Sequence, residues 1–232
     1  MLVDAHCHLH EIKKYDLTQV TPVGCGYSHA SNVKTAELAH KLGLPFALGI
    51  APQSVIKIPD LEPLDGWIDF IRTQKPNAIG EVGLDFHWAK EKQEIEREEL
   101  TFYRMVDLAE EMKLPLVIHA RKATADVLDT LKLRNFSQRV MFHFFSGTVG
   151  EAEYIAKQGW LVSITPLHSK ERREAIKMLP LESLVVETDA PYVVRTPEEV
   201  KLSVEYIAEV KQLDFNIVAE QTANNARKFF SF

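Results

Sequence analysis

Eight short apolar runs, rich in β-branched residues and spaced along the whole chain, set the strongest limit on the fold. They are residues 2–7 (LVDAHC), 23–28 (VGCGYS), 46–51 (FALGIA), 78–83 (AIGEVG), 115–119 (PLVIH), 139–144 (RVMFHF), 160–165 (WLVSIT) and 184–189 (LVVETD). Their apolar residues do not strictly alternate with polar ones, which suits parallel strands covered by helices on both sides. Stretches of helical period separate most of them. From about Glu91 to Lys113, Ile95, Phe102, Val106, Ala109 and Met112 share one face while the charges lie elsewhere. Thr196-Pro197-Glu198-Glu199 offers an N-cap, a proline at the first helical position and acids in the first turn, so a late helix is expected to begin there, ahead of Val200, Val204 and Ile207. Eight strands alternating with helices predict a single (β/α)8 TIM-type barrel, and a slightly distorted barrel fits the same pattern. No repeat, low-complexity tract or linker divides the chain, so residues 1–232 are expected to form one domain.

Composition excludes several classes. No apolar run approaches the roughly 20 residues of a membrane-spanning helix. The opening MLVDAHCHLH lacks the positive segment and apolar stretch of a signal peptide, which points to a cytoplasmic setting. Cys7 and Cys25 make no disulfide framework in a chain of 232 residues, and both are expected to be reduced. A formal net charge of −6 argues against a broad basic face that coats nucleic acid, so any phosphate recognition has to be local. No obligate protein partner is evident.

In barrel enzymes the chemistry gathers at the C-terminal ends of the strands, where residues distant in sequence converge. The first run carries Asp4, His6 and His8, which a strand turns to one face. Such a His-x-His pair can grip one cation, with Asp4, one layer deeper, available to orient an imidazole. Glu81, His119, His143 and Asp189 lie at or near the ends of four other apolar runs, where an unpartnered polar group costs several kcal/mol to bury. Four histidines and two carboxylates are too many ligands for one tetrahedral cation with an open position, and they suit two cations sharing a carboxylate. Asp189 is well placed to accept a proton from an activated water.

DAHCHLH (4–10), IGEVGLDF (79–86), VIHAR (117–121), HFFSG (143–147) and ETDAPY (187–192), in this order, resemble the signature of the TatD family of metal-dependent deoxyribonucleases, within the amidohydrolase-like superfamily. The resemblance runs from residue 3 to about 230, ending in TANNARKFF. It implies a barrel with His6 and His8 on one divalent cation, His119 and His143 on a second, Glu81 between them, and Asp189 at the first cation and the attacking water. It implies Asp189 and Glu81 as the catalytic pair and DNA as the substrate. Imidazole and carboxylate ligands accept Zn, Mn, Ni or Fe, and Mg less readily.

Further candidates border this set. Asp85, on the turn Gly83-Leu84-Asp85-Phe86, could orient substrate or Glu81; Arg121 could face a phosphate. Ser146 and Arg195, with Trp88, Tyr192 and His168, fall in loops expected at the barrel mouth, whereas His10, His29, His40 and His87 read as surface or loop histidines. The chain also departs from the family. Gly49-Ile50-Ala51-Pro52 stands where many relatives carry Gly-x-His-Pro, Phe144 where many have Cys, and Tyr192–Pro197 runs into a helix without the longer Gly/Asn/Pro loop. The missing mouth residues leave open a second reading, a barrel hydrolysing a small amide, ester or lactone; a third, from another class, is a metal-binding barrel without turnover.

Overall fold

The computed structural model of the chain describes residues 1–58 and 60–232. Leu2–Cys7 (β1), Val20–Cys25 (β2), Phe46–Leu48 (β3), Ala78–Asp85 (β4), Leu116–Arg121 (β5), Val140–Phe142 (β6), Leu161–Ile164 (β7) and Leu184–Val186 (β8) lie side by side in chain order, each paired in parallel with the next. His29–Leu42 (α1), Leu64–Gln74 (α2), Lys92–Met112 (α3), Thr124–Leu133 (α4), Val149–Lys157 (α5) and Lys170–Met178 (α6) follow β2 to β7 in turn; Lys201–Lys211 (α7) and Phe215–Phe230 (α8) follow β8. This is the barrel that the eight runs predict. Among the described residues no helix is long and apolar enough to cross a membrane.

Boundaries differ where chemistry is concentrated. The second run was expected at 23–28, but β2 ends at Cys25 because Ser28 leaves the sheet to cap α1, trading hydrogen bonds with Ser31. The runs at 46–51, 139–144 and 184–189 form only three ladder residues each, and the largely buried residues beyond them curl over the barrel mouth. The late helix begins as expected at Thr196, with a 3-10 turn over Pro197–Val200 before α7.

No α-helix separates β1 from β2, and α8 packs against β1 and β8 instead. Its buried residues Val218, Thr222, Ala223, Ala226, Phe229 and Phe230 fall on one stripe. Each buried Phe contributes about 1.5–3 kcal/mol of transfer free energy.

The seam between β8 and β1 closes just above the ladder. Asp189 N donates to His6 O at 3.0 Å and His8 N to Ala190 O at 2.7 Å. Below them the buried Asp4 carboxylate accepts from the Thr188 backbone N at 2.9 Å and from the Thr188 hydroxyl. Asp4 is therefore a clasp across the seam and not the imidazole support expected from its position on β1. A buried carboxylate needs such donors, because left bare it would be far too costly to desolvate.

Candidate metal centre

Residues two apart on a strand share a face, so the apolar barrel interior leads directly up to ionisable groups: Val117 to His119, Met141 to His143, Val185 to Glu187. Two glycines let these strands approach. A Cβ on Gly83 would lie 2.0 Å from the His119 carbonyl oxygen, and its φ of +140° is open to glycine alone; a Cβ on Gly49 would lie 2.5 Å from the Glu81 carbonyl oxygen. Past the strands, Lys122, Phe144 and Asp189 adopt left-handed φ values of 58°, 45° and 50°. Conformations of this kind cost about 1–3 kcal/mol each and collect where a site demands them. Here they turn the chain sharply at the ends of β5, β6 and β8.

The six expected ligands meet at one centre. Glu81 is its hub: Oε1 lies 2.8 Å from His119 Nδ1 and 3.4 Å from His143 Nε2, while Oε2 lies 3.7 Å from His6 Nε2 and 3.9 Å from His8 Nε2. Asp189 Oδ1 completes the second side, 3.6 Å from His6 Nε2 and 3.4 Å from His8 Nε2. Two donors each about 2.1 Å from a shared ion lie roughly 3–4 Å apart, so both sides have the spacing of a coordination shell. Three-residue groups drawn from these six have ligand atoms within 4.8 Å of one another. His6 is fully buried with neither ring nitrogen hydrogen-bonded, which a cation would explain.

Two groups of the centre already hold the protonation state that a cation needs. Burial, reinforced by the charges of His143 and His8, holds His6 well below the usual imidazole range. Burial works to raise Glu81, but His143 and His119 outweigh it and hold its carboxyl well below the usual range. Neutral imidazole and ionised carboxylate are the forms that bind metal. Burial works to lower His8, His119 and His143 too, but Asp189, Asp85 and Glu81 outweigh it and hold all three above the usual imidazole range, so a cation would displace protons from these rings.

Outer partners orient the rings. His8 Nδ1 sits 3.0 Å from the Cys25 carbonyl oxygen, which only accepts, so the proton is on Nδ1 and Nε2 faces the centre. His119 Nε2 sits 2.9 Å from Asp85 Oδ2, which leaves Nδ1 for the centre. His143 Nδ1 faces Glu187 Oε1 at 3.5 Å, and that oxygen also accepts from Phe144 N at 2.7 Å. Asp85 is wholly buried and turned to His119, not to Glu81 or the open cleft. Glu187 went unmarked in the sequence although it lies two residues before Asp189 at the end of the same run, a signal in itself.

Above the centre opens a cleft of about 830 Å³, within the usual range for ligand sites. His8, Glu81, His119, His143 and Asp189 form its floor; Arg121, Ser146, Trp88, Tyr192 and His168 line it, as do the unforeseen Tyr27 and Gln53. Gln53 donates to Asp85 Oδ2 at 3.2 Å. Tyr27 and Tyr192 both donate to Glu11 at the rim, at 2.7 Å and 3.0 Å. Arg195 is not part of this lining; it is exposed outside, its backbone N donating to Glu199. His10, expected at the surface or in a loop, lies in the 3-10 turn after β1 with its ring buried between Thr35 and Glu11.

Comparison with known proteins agrees with this geometry. A family profile described as TatD related DNase matches residues 3–231. An uncharacterized metal-dependent hydrolase of Methanocaldococcus jannaschii is 32% identical, the match covering 98% of this chain and 96% of that one. The deoxyribonuclease TATDN3 of Homo sapiens is 29% identical over 99% of this chain and 94% of its own. Among solved structures, the TatD homolog YjjV of Escherichia coli superimposes with a TM-score of 0.84 at 23% identity, covering 100% of this chain and 98% of the other, which supports the fold.

Proposed function

Since the chain belongs to the TatD family of metal-dependent hydrolases, we propose that it cleaves phosphodiester bonds in DNA, with two divalent cations held by His6, His8, Glu81, His119, His143 and Asp189. The observation that carries this reading is the arrangement of Glu81, whose two carboxylate oxygens face different histidine pairs. One carboxylate placed between two sets of imidazoles is the geometry of a shared bridge. The donor set of four imidazoles and two carboxylates suits Zn, Mn, Ni or Fe ahead of Mg.

When bound, such ions acidify water and neutralise phosphoryl oxygens. The chain's own groups do the rest. Glu81 and Asp189 bring only two negative charges against the four of a divalent pair, so the floor attracts a phosphodiester although the chain is acidic overall. Asp189, at the cleft floor with Oδ1 towards His6 and His8, takes the proton released by water as it attacks. The buried free thiols of Cys7 and Cys25 fit a reducing, cytoplasmic setting.

A nuclease assay on single-stranded DNA with Mn2+, Mg2+ or Zn2+ tests the proposal. Cleavage is expected with at least one of these ions, abolished by chelator and reduced about 10²–10⁴-fold in Asp189→Asn. DNA left intact under all three ions, while a small amide, ester or lactone turns over, would move the substrate to the alternative class.

A further inference from the structure

The loop after β4 presents an aromatic surface beside the metal centre that none of the chemistry above uses. Trp88 is 58% exposed and lines the cleft. Single exposed aromatic residues are ordinary on protein surfaces and carry no meaning by themselves. Trp88 differs in being rigidly mounted. Its backbone N donates to the Asp85 carbonyl oxygen at 3.1 Å and lies 3.3 Å from Asp85 Oδ1, which also accepts from His87 N at 3.0 Å. The His87 ring stands edge-on to the indole, centroids 4.7 Å apart.

Arg121 completes the surface, with Cζ 5.8 Å from the centroid of the Trp88 ring. Arg172, the other arginine of the cleft lining, donates to the carbonyl oxygens of Leu167 and Phe145, whereas the Arg121 side chain forms no ion pair or hydrogen bond among the described residues. Its backbone is tied to the same loop, since Phe86 N donates to Arg121 O at 3.0 Å and Asp85 lies opposite Arg121 in the ladder. Lys122 follows it in sequence, and Lys90, on the Trp88 loop, donates to Phe86 O at 2.7 Å. Arg121 thus stands over the exposed indole, and the two chain segments that meet there also carry Lys90 and Lys122.

We propose that Trp88 and Arg121 form a subsite for single-stranded DNA, the indole stacking on one base and the guanidinium meeting the adjoining phosphate. This rests on the phosphodiester reading of the metal centre. Every base offers a π-face, so such stacking tolerates any sequence. In a duplex those faces are already stacked, and the platform selects unpaired strand. Asp85 sets the register: Oδ1 accepts from the loop that bears Trp88 and Oδ2 holds the His119 ring, so a single carboxylate fixes the distance from stacked base to metal centre.

The test uses the Zn2+-loaded protein and a short phosphorothioate oligothymidylate, which resists cleavage, against an abasic oligomer of the same length and charge. Trp67 and Trp160 are only partly exposed and neither lines this cleft, so quenching of tryptophan fluorescence reports Trp88. The base-bearing strand should quench the emission and bind at least about tenfold more tightly than the abasic one. Trp88→Ala should bind both alike without quenching, Trp88→Phe should recover part of the preference, and Arg121→Gln should lower the salt slope of binding by about 0.7. Equal binding of the two oligomers by the wild type, a base preference that survives Trp88→Ala, or tighter binding of duplex overturns the subsite. Tighter binding of the matching RNA overturns its assignment to DNA. Cleavage of an ordinary DNA strand is measured alongside. A base preference without cleavage removes the phosphodiester reading and leaves the platform standing, and cleavage without a base preference does the reverse.

Discussion

The two histidine pairs of the candidate metal centre are held by different means. On the His119/His143 side each imidazole is backed by a carboxylate, Asp85 at 2.9 Å and Glu187 at 3.5 Å. On the His6/His8 side the support is backbone: His8 leans on the Cys25 carbonyl, and His6 is placed by the seam, where its carbonyl accepts from Asp189 N. A carboxylate partner makes an imidazole a stronger ligand and can be removed by mutation; a carbonyl partner is fixed by the fold. The first pair is thus tuned by side chains and the second by barrel closure, with Glu81 joining the two.

The comparison fails most directly if Glu81 does not join them. Glu81→Ala should cost about 10³-fold or more in turnover and remove metal from both sides, because a two-ion site supplies several kcal/mol of charge stabilisation. Elemental analysis of the purified variant checks this, and two ions retained per chain would show that the sides are independent. A smaller effect separates the two supporting carboxylates. Asp85 accepts on both oxygens, from His119 and Gln53 on Oδ2 and from His87 N on Oδ1, so an amide must set its NH2 group against a donor. Glu187 Oε2 has no partner, and an amide can place its NH2 there while keeping the acceptor at Oε1. Asp85→Asn should therefore weaken metal binding by about 10–100-fold and Glu187→Gln by less than about tenfold, read by Zn2+ titration. The reverse order would contradict the hydrogen-bond pattern that distinguishes them.

Much of this was legible in the sequence. Parallel barrel strands are buried on both faces, so their apolar runs stand out, and ligands placed directly after such runs stand out with them. The strand ends were less legible, because the ladder stops where the chain curls to present ligands. Strand period two places Asp4 on the face of His6 and His8, but the register of β1 shifts between Asp4 and Cys7, its neighbours Val3 and Ala5 belong to the barrel interior, and its partner Thr188 is 184 residues away across a seam that exists only once the barrel closes. Gln53 lies in a 3-10 turn over Pro52–Ser54 and carries no periodic signal. Glu98 did carry one, falling between Ile95 and Phe102 on the apolar stripe of α3, where the helix pattern treats a charge as outward-facing; it is fully buried.

Glu98 yields the smallest effect and extends the comparison one layer deeper on the His119 side. Its Oε2 accepts from Asp85 N at 2.9 Å, Oε1 has no partner, and burial pushes its carboxyl up to about 7. An unfolded glutamate releases its proton near 4.5. Between about pH 4.5 and 7 the unfolded chain has lost that proton while the folded chain keeps it, so stability falls as pH rises through this window and the loss stays constant above it. Glu98→Gln does not titrate. Relative to wild type it should be nearly neutral below about pH 4.5 and more stable by roughly 1–3 kcal/mol above about pH 7.5. Every other group is the same in both proteins, so denaturant midpoints of the metal-free pair, compared across pH, isolate Glu98 by difference. A difference that is flat with pH would mean that Glu98 is ionised in its buried position, and the layer behind Asp85 would then carry a charge that the present hydrogen bonds do not account for.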